Sequence, residues 1–78
     1  MRVHSNGNIG IGTASPSNNA SLEITTTKKA PLKLTPMTAT QASAVIAEDG
    51  QILYVNSTDA TFILVGFWGR ENGVWVKL

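Results

Sequence analysis

Asn6-Gly7-Asn8-Ile9-Gly10-Ile11-Gly12-Thr13 alternates isoleucine with glycine at the period of a β-strand. Successive side chains of a strand point to opposite faces, so Ile9 and Ile11 share one face while Gly10 and Gly12 leave the other bare. Glycine weakens an isolated strand and is kept where the chain bends or where another backbone comes close. In a chain of 78 residues the expected close neighbour is a second copy of the same chain.

Size points the same way. A domain this small buries only about 60% of the surface its unfolded chain exposes. Such chains usually rely on a disulfide, a metal or partner subunits. The sequence has no cysteine, and its single His4 and five scattered carboxylates make no ligand set, so neither a metal nor another cofactor is expected. Oligomerisation remains. The net charge is +1 and the charged fraction 14%, which leaves no basic stripe for nucleic acid and no acidic tail. Phe62-Ile63-Leu64-Val65, the longest aliphatic run, is far too short to cross a bilayer, so no membrane insertion is expected.

Up to about residue 35 the chain is turn-rich and apolar only in pairs: Ile9 with Ile11, Leu22 with Ile24, Leu32 with Leu34. Each pair reads as a short strand with one apolar face. Asn6-Gly7 predicts a type I′ hairpin turn, and Ser15-Pro16 with Asn18-Asn19 a second reversal. Six apolar side chains cannot form a monomeric core, whereas three copies around an axis bring each pair against its symmetry mates. Pro36 opens a different segment, 36–78. Thr38 and Gln41 have capping-box spacing and precede an alanine-rich stretch, which predicts a helix over 39–46 ended by Glu48-Asp49-Gly50. A three-stranded antiparallel meander is predicted over 51–56, 61–68 and 74–78, its last two strands joined by the loop Gly69–Gly73. All five aromatics, Tyr54, Phe62, Phe67, Trp68 and Trp75, lie in this segment and place the core there.

Gly7-Asn8-Ile9-Gly10-Ile11-Gly12-Thr13, with Pro16 and Leu22-Glu23-Ile24, resembles a recurring element of bacteriophage tail-fibre and tail-spike proteins. Gly50–Asn56, Val65–Gly69 and Asn72–Leu78 look like the small carboxyl-terminal module that ends many such fibres. The resemblance implies a mostly β protein: an intertwined homotrimeric β-shaft over 1–35, then a tip of antiparallel sheet with one short helix over 36–78. It implies location in the virion, at the distal end of a tail fibre, and attachment to a bacterial surface; the expected receptor is a cell-surface glycan such as lipopolysaccharide, with an outer-membrane protein as the rival target. On this reading the chain is the distal piece of a longer fibre, and Ile9, Gly10, Ile11, Gly12, Leu22, Ile24, Leu32 and Leu34 form the trimer interface. The alternative is a module that trimerises and caps the fibre without touching the receptor.

Receptor contact is assigned to Asn56, Thr58, Asp59, Trp68, Arg70 and Asn72. The hydroxyls, amides and charges of the two loops suit saccharide hydrogen bonds, and equally suit plain turn chemistry. Trp68 and Trp75 offer ring faces for stacking on sugars, but filling the core is the stronger expectation for Trp75. Phe67 and Trp68 point to opposite faces, so one of the two should be exposed. Glu48-Asp49 has no second acid in a relation that suits glycoside cleavage, and Ile9-Gly10-Ile11-Gly12 has no helix behind it to cradle a phosphate. The chain is not expected to be an enzyme.

Overall fold

The computed structural model describes all residues, Met1–Leu78. It divides into two units, Met1–Lys33 and Leu34–Leu78, close to the predicted boundary at 35/36. Both units are mostly β, with a single short helix in the second.

In the first unit, strands β1 (Arg2–Val3), β2 (Ile9–Ile11) and β3 (Leu22–Ile24) form a sheet in the order β1-β2-β3. β1 and β2 are antiparallel, and their hairpin closes through Gly7 N–H to His4 O at 2.8 Å and His4 N–H to Asn8 O at 2.7 Å. Gly7 has φ +89°, but Asn6 is not left-handed. The turn is therefore a three-residue loop closed by a left-handed glycine, not the predicted type I′, which needs positive φ at both central residues. β3 returns parallel to β2 with Ile9 opposite Leu22, Gly10 opposite Glu23 and Ile11 opposite Ile24.

That register sorts the two faces. Val3, Ile9, Ile11, Leu22 and Ile24 share one, and none of them is buried. On the other, Gly10 is buried beneath the connection from β2 to β3, and a Cβ there would stand 2.5 Å from Thr13 O and 3.4 Å from Pro16 Cβ. Gly10 thus meets the chain's own crossover, because the parallel return passes over that side of β2. Polar bonds fasten that crossover. Glu23 Oε1 accepts from Ser17 N–H at 3.1 Å, Glu23 Oε2 from the Thr25 hydroxyl at 3.2 Å, and Asn8 Nδ2 donates to Ser17 O at 3.1 Å. The predicted reversal near Asn18-Asn19 is present, closed by Ala20 N–H to Ser17 O at 3.3 Å. Leu32 and Leu34 form no strand, since nothing pairs with the backbone between Ala30 and Thr35.

The second unit carries a four-stranded sheet in the order β4 (Pro36–Met37), β5 (Ile52–Val55), β6 (Gly66–Glu71) and β7 (Val74–Lys77). β5, β6 and β7 make the expected antiparallel meander, and β4 adds a parallel edge to β5. Helix α1 (Ala39–Ser43) lays Ala39 and Ala42 on the sheet's inner face beside Leu53, Val55, Phe62 and Trp68, which together are the core. Its amino end has the predicted capping box: Thr38 Oγ1 accepts from Gln41 N–H at 3.2 Å, and Gln41 Oε1 from Thr38 N–H at 2.9 Å.

The helix stops at Ser43, three residues short of the predicted end at Ile46. Only Ala39 and Ala42 find a surface, and a helix this short is marginal without one. Beyond it, Gln51 captures the backbone by accepting from Glu48 N–H at 2.9 Å and donating to Ile46 O at 3.2 Å. Glu48-Asp49-Gly50 therefore turns the chain into β5 and does not cap α1.

The second predicted strand, 61–68, is displaced to Gly66–Glu71. Asp59 takes the amides of Thr61 and Phe62 out of any ladder, with Oδ1 accepting from both at 2.8 and 2.7 Å. The turn swings Phe62 into the core, where it is 0% exposed. The shift also shortens the predicted loop Gly69–Gly73. Asn72 (φ +52°) and Gly73 (φ +76°) alone make the turn, as a type I′ turn requires. Arg70 is thereby a strand residue paired with Trp75, so Trp75 does not sit opposite Phe67 or Trp68.

Candidate functional site: the connection between β5 and β6

The six residues assigned to receptor contact fall at opposite ends of one sheet. Val55 pairs with Gly66 and Ile52 with Gly69, so Asn56, Thr58 and Asp59 follow β5 at the end where β6 begins. Arg70 and Asn72 lie at the far end of β6, beside Asp49 and Gly50. A strand of this length separates the groups by roughly 15–20 Å, so they do not make one site.

Trp68 leaves the set for a different reason. It is 4% exposed, stacked edge-on against Phe62 at 5.3 Å, and its Nε1 donates to Leu64 O at 3.0 Å. No ring face reaches solvent. Trp75 is covered by Phe62 at 5.6 Å and by the Arg70 guanidinium, 5.4 Å from the ring centroid. Phe67, not Trp68, is the exposed member of the adjacent pair. Arg70 is spent largely on Trp75, and its Nε is buried without a hydrogen-bond partner.

The connection between β5 and β6, residues 56–65, is the better-built surface. Asp59 organises it. Besides the two backbone amides, its Oδ2 accepts from the Ser43 hydroxyl at 3.3 Å, and its own N–H donates to Phe62 O at 2.9 Å. The Phe62 N–H does most to hold the Asp59 carboxyl below its ordinary value; desolvation, the next largest influence, opposes it, and Thr61 and then Ser43 add to the lowering. Ser57 Oγ ties the same loop to the helix by accepting from Ala39 N–H at 2.8 Å, while Asn56 N–H donates to Met37 O at 2.7 Å.

Between the Phe62 anchor and the Trp68–Leu64 bond, the loop exposes Ile63, Leu64 and Val65 in succession. Asn56 and Thr58 are exposed on the same connection. The result is a fixed loop that offers a short aliphatic ridge with amide and hydroxyl groups on the same segment, able to bind without paying much ordering entropy. Periodicity hides this, because a continuous apolar run reads as a buried strand. The available signal was Asp59 placed two and three residues before Thr61 and Phe62, the spacing of a side-chain-capped turn.

Asp59 is the only titratable side chain on this connection, and its oxygens are engaged in the turn. No group of three or more His, Cys, Asp or Glu side chains is placed to hold a metal ion, and no helix is long and apolar enough to cross a membrane. No protein-family model, curated protein or solved structure matches the chain.

Proposed function

We propose that the chain is the distal part of a trimeric phage tail fibre, a non-enzymatic attachment module that engages a bacterial surface through the loop 56–65. The observation that carries the trimer is the apolar face of the first unit. Val3, Ile9, Ile11, Leu22 and Ile24 stand in register on one side of a three-stranded sheet, none of them buried, and the unit's only buried residues are Gly10 and Pro16 on the other side. Five aliphatic groups in that condition lose about 25 cal/mol for each Å² left in water, which identical chains around an axis recover. A trimer carries three copies of the loop, and linked sites gain roughly 10² to 10⁴ over a single contact.

Between the two receptor classes, the ridge Ile63-Leu64-Val65 favours an outer-membrane protein over a glycan. Aliphatic side chains match an apolar protein surface, whereas Trp68 is packed inside and Trp75 is half-buried against Phe62 and Arg70. The test is adhesion of the labelled full chain to a panel of bacteria, before and after surface proteolysis and periodate oxidation, with competition against phage adsorption. Binding abolished by proteolysis and by Leu64→Asp is the expected result. A folded trimer that neither adheres to any strain nor competes assigns the chain to capping, and periodate-sensitive binding restores the glycan.

A further inference from the structure

Two hairpin turns of this chain carry the same dipeptide, Asn6-Gly7 between β1 and β2 and Asn72-Gly73 between β6 and β7. Asparagine before glycine is open to self-modification, because the next backbone nitrogen can reach the side-chain carbonyl carbon when no Cβ crowds the approach. All four residues are exposed. The two turns nevertheless hold the reacting atoms differently. At the first, Asn8 N–H donates to Asn6 Oδ1 at 3.0 Å, which draws electron density from Cγ and supplies a donor where an oxyanion would form. The nucleophile is the Gly7 nitrogen, whose N–H donates to His4 O at 2.8 Å, and only the closing of β1 on β2 holds it there. β1 has two residues, both exposed, and no neighbour but β2, so it opens at little cost. At the second turn, Gly73 N–H donates to Asp49 Oδ1 at 3.0 Å, and that fixed carboxylate opposes the negative charge a nitrogen nucleophile must develop. Four cross-strand pairs, from Glu71 with Val74 to Trp68 with Lys77, close the strands behind it.

We propose that Asn6 is a site of spontaneous deamidation, and that the fold directs this modification to Asn6 and spares Asn72. When β1 frays, the Gly7 nitrogen loses its proton to solvent and bonds to Asn6 Cγ. The tetrahedral carbon expels Nδ2, which leaves as ammonia with a proton from water, and a cyclic imide joins Asn6 to Gly7. Water then opens the ring at one carbonyl or the other, giving an aspartyl or an isoaspartyl residue at position 6. The net change is one amide and one water for one carboxylate and one ammonium ion. Either product cancels the formal net charge of +1. The isoaspartyl form also lengthens the main chain by a carbon, so the bonds of His4 to Gly7 and Asn8 can no longer both close the loop. β1, with no second neighbour, is then released from the sheet together with Val3. The site lies within one chain and needs no partner.

Ageing the full chain in mildly alkaline buffer, with and without urea, tests the assignment. Trypsin separates the two turns, cutting after Arg2 and Lys28 around the first and after Arg70 and Lys77 around the second, and mass spectrometry with fragmentation locates the converted residue. In the native chain Asn6 is expected to convert roughly tenfold or more faster than Asn72, since opening free energies range from near zero at a frayed end to the global stability. In urea, where neither turn is held, the two rates should converge. Asn6→Gln should abolish the product at that turn, because the longer side chain closes its ring slowly, and labelling by isoaspartyl methyltransferase should fall with it. Native Asn72 converting as fast as Asn6, or a preference for Asn6 that persists in urea, overturns the assignment. So does a native Asn6 that converts no faster than Asn8, Asn18 or Asn56, none of which precedes a glycine.

Discussion

Phe62 and Phe67 are the same side chain on opposite sides of the fold, and exchanging each for alanine measures the orientation of the second unit. Phe62 is 0% exposed and touches both tryptophan rings, at 5.3 and 5.6 Å. Removing a buried phenylalanine loses its transfer energy and leaves a cavity, about 3–5 kcal/mol. A unit of this length has a stability of roughly 2–7 kcal/mol, at about 0.05–0.15 kcal/mol per residue. Phe62→Ala should therefore remove much or all of the unit's stability, whereas Phe62→Leu, which deletes fewer buried carbons, should cost clearly less. Phe67→Ala removes an exposed ring and should cost under about 1 kcal/mol at dilutions where chains are separate. Urea titration followed by tryptophan fluorescence is suited to the measurement, because Trp68 and Trp75 both pack on Phe62. If Phe62→Ala shifts the transition no further than Phe67→Ala does, the core has been placed on the wrong side of the sheet.

Three other outcomes are expected. The Asp59 pKa is lowered in the folded protein from 3.8, so its contribution to stability is complete above about pH 4 and disappears as pH falls through the lower folded value. Asp59→Asn should flatten that acid limb in thermal melts taken between about pH 5 and pH 2. Gly12→Ala should disorder the first unit, since Gly12 has φ +79° and a Cβ would collide with the Thr25 carbonyl; dispersion of the first-unit amide signals in NMR spectra checks it while the tryptophan signals persist. Asn72→Ala should destabilise by about 1 kcal/mol because Asn72 is left-handed at φ +52°, whereas Asn72→Gly should be nearly neutral; paired denaturation curves decide.

The local signals most legible in the residues were those that act over three or four positions. The Thr38–Gln41 capping box and the reversal near Asn18-Asn19 depend only on neighbours and formed as read. The third strand, Val74–Lys77, lies within the predicted 74–78. The Asn72-Gly73 turn was equally legible, yet the flanking glycine at Gly69 drew the predicted loop too wide. Phe62–Val65 was misread as strand interior because apolar content cannot reveal that the Asp59 carboxylate outcompetes a ladder for two amides. The receptor set was dispersed for the same reason: moving β6 by several residues carries Arg70 into the ladder and Trp68 into the core.

The amino-acid sequence alone determined that this is a small, mostly β chain with its aromatic core in the carboxyl-terminal segment. Which faces those surfaces occupy was decided only in three dimensions. Strand alternation says that Ile9 and Gly10 point apart, but not which side the crossover through Thr13 and Pro16 will cover; it covered Gly10 and left Ile9 and Ile11 on the other face. In the same way, only the register of β5, β6 and β7 reveals that Ile52, Phe67, Val74 and Leu78 gather opposite the core. Periodicity separates the two sides of a strand. Pairing and chain return choose which side is filled, and those depend on contacts distant in sequence.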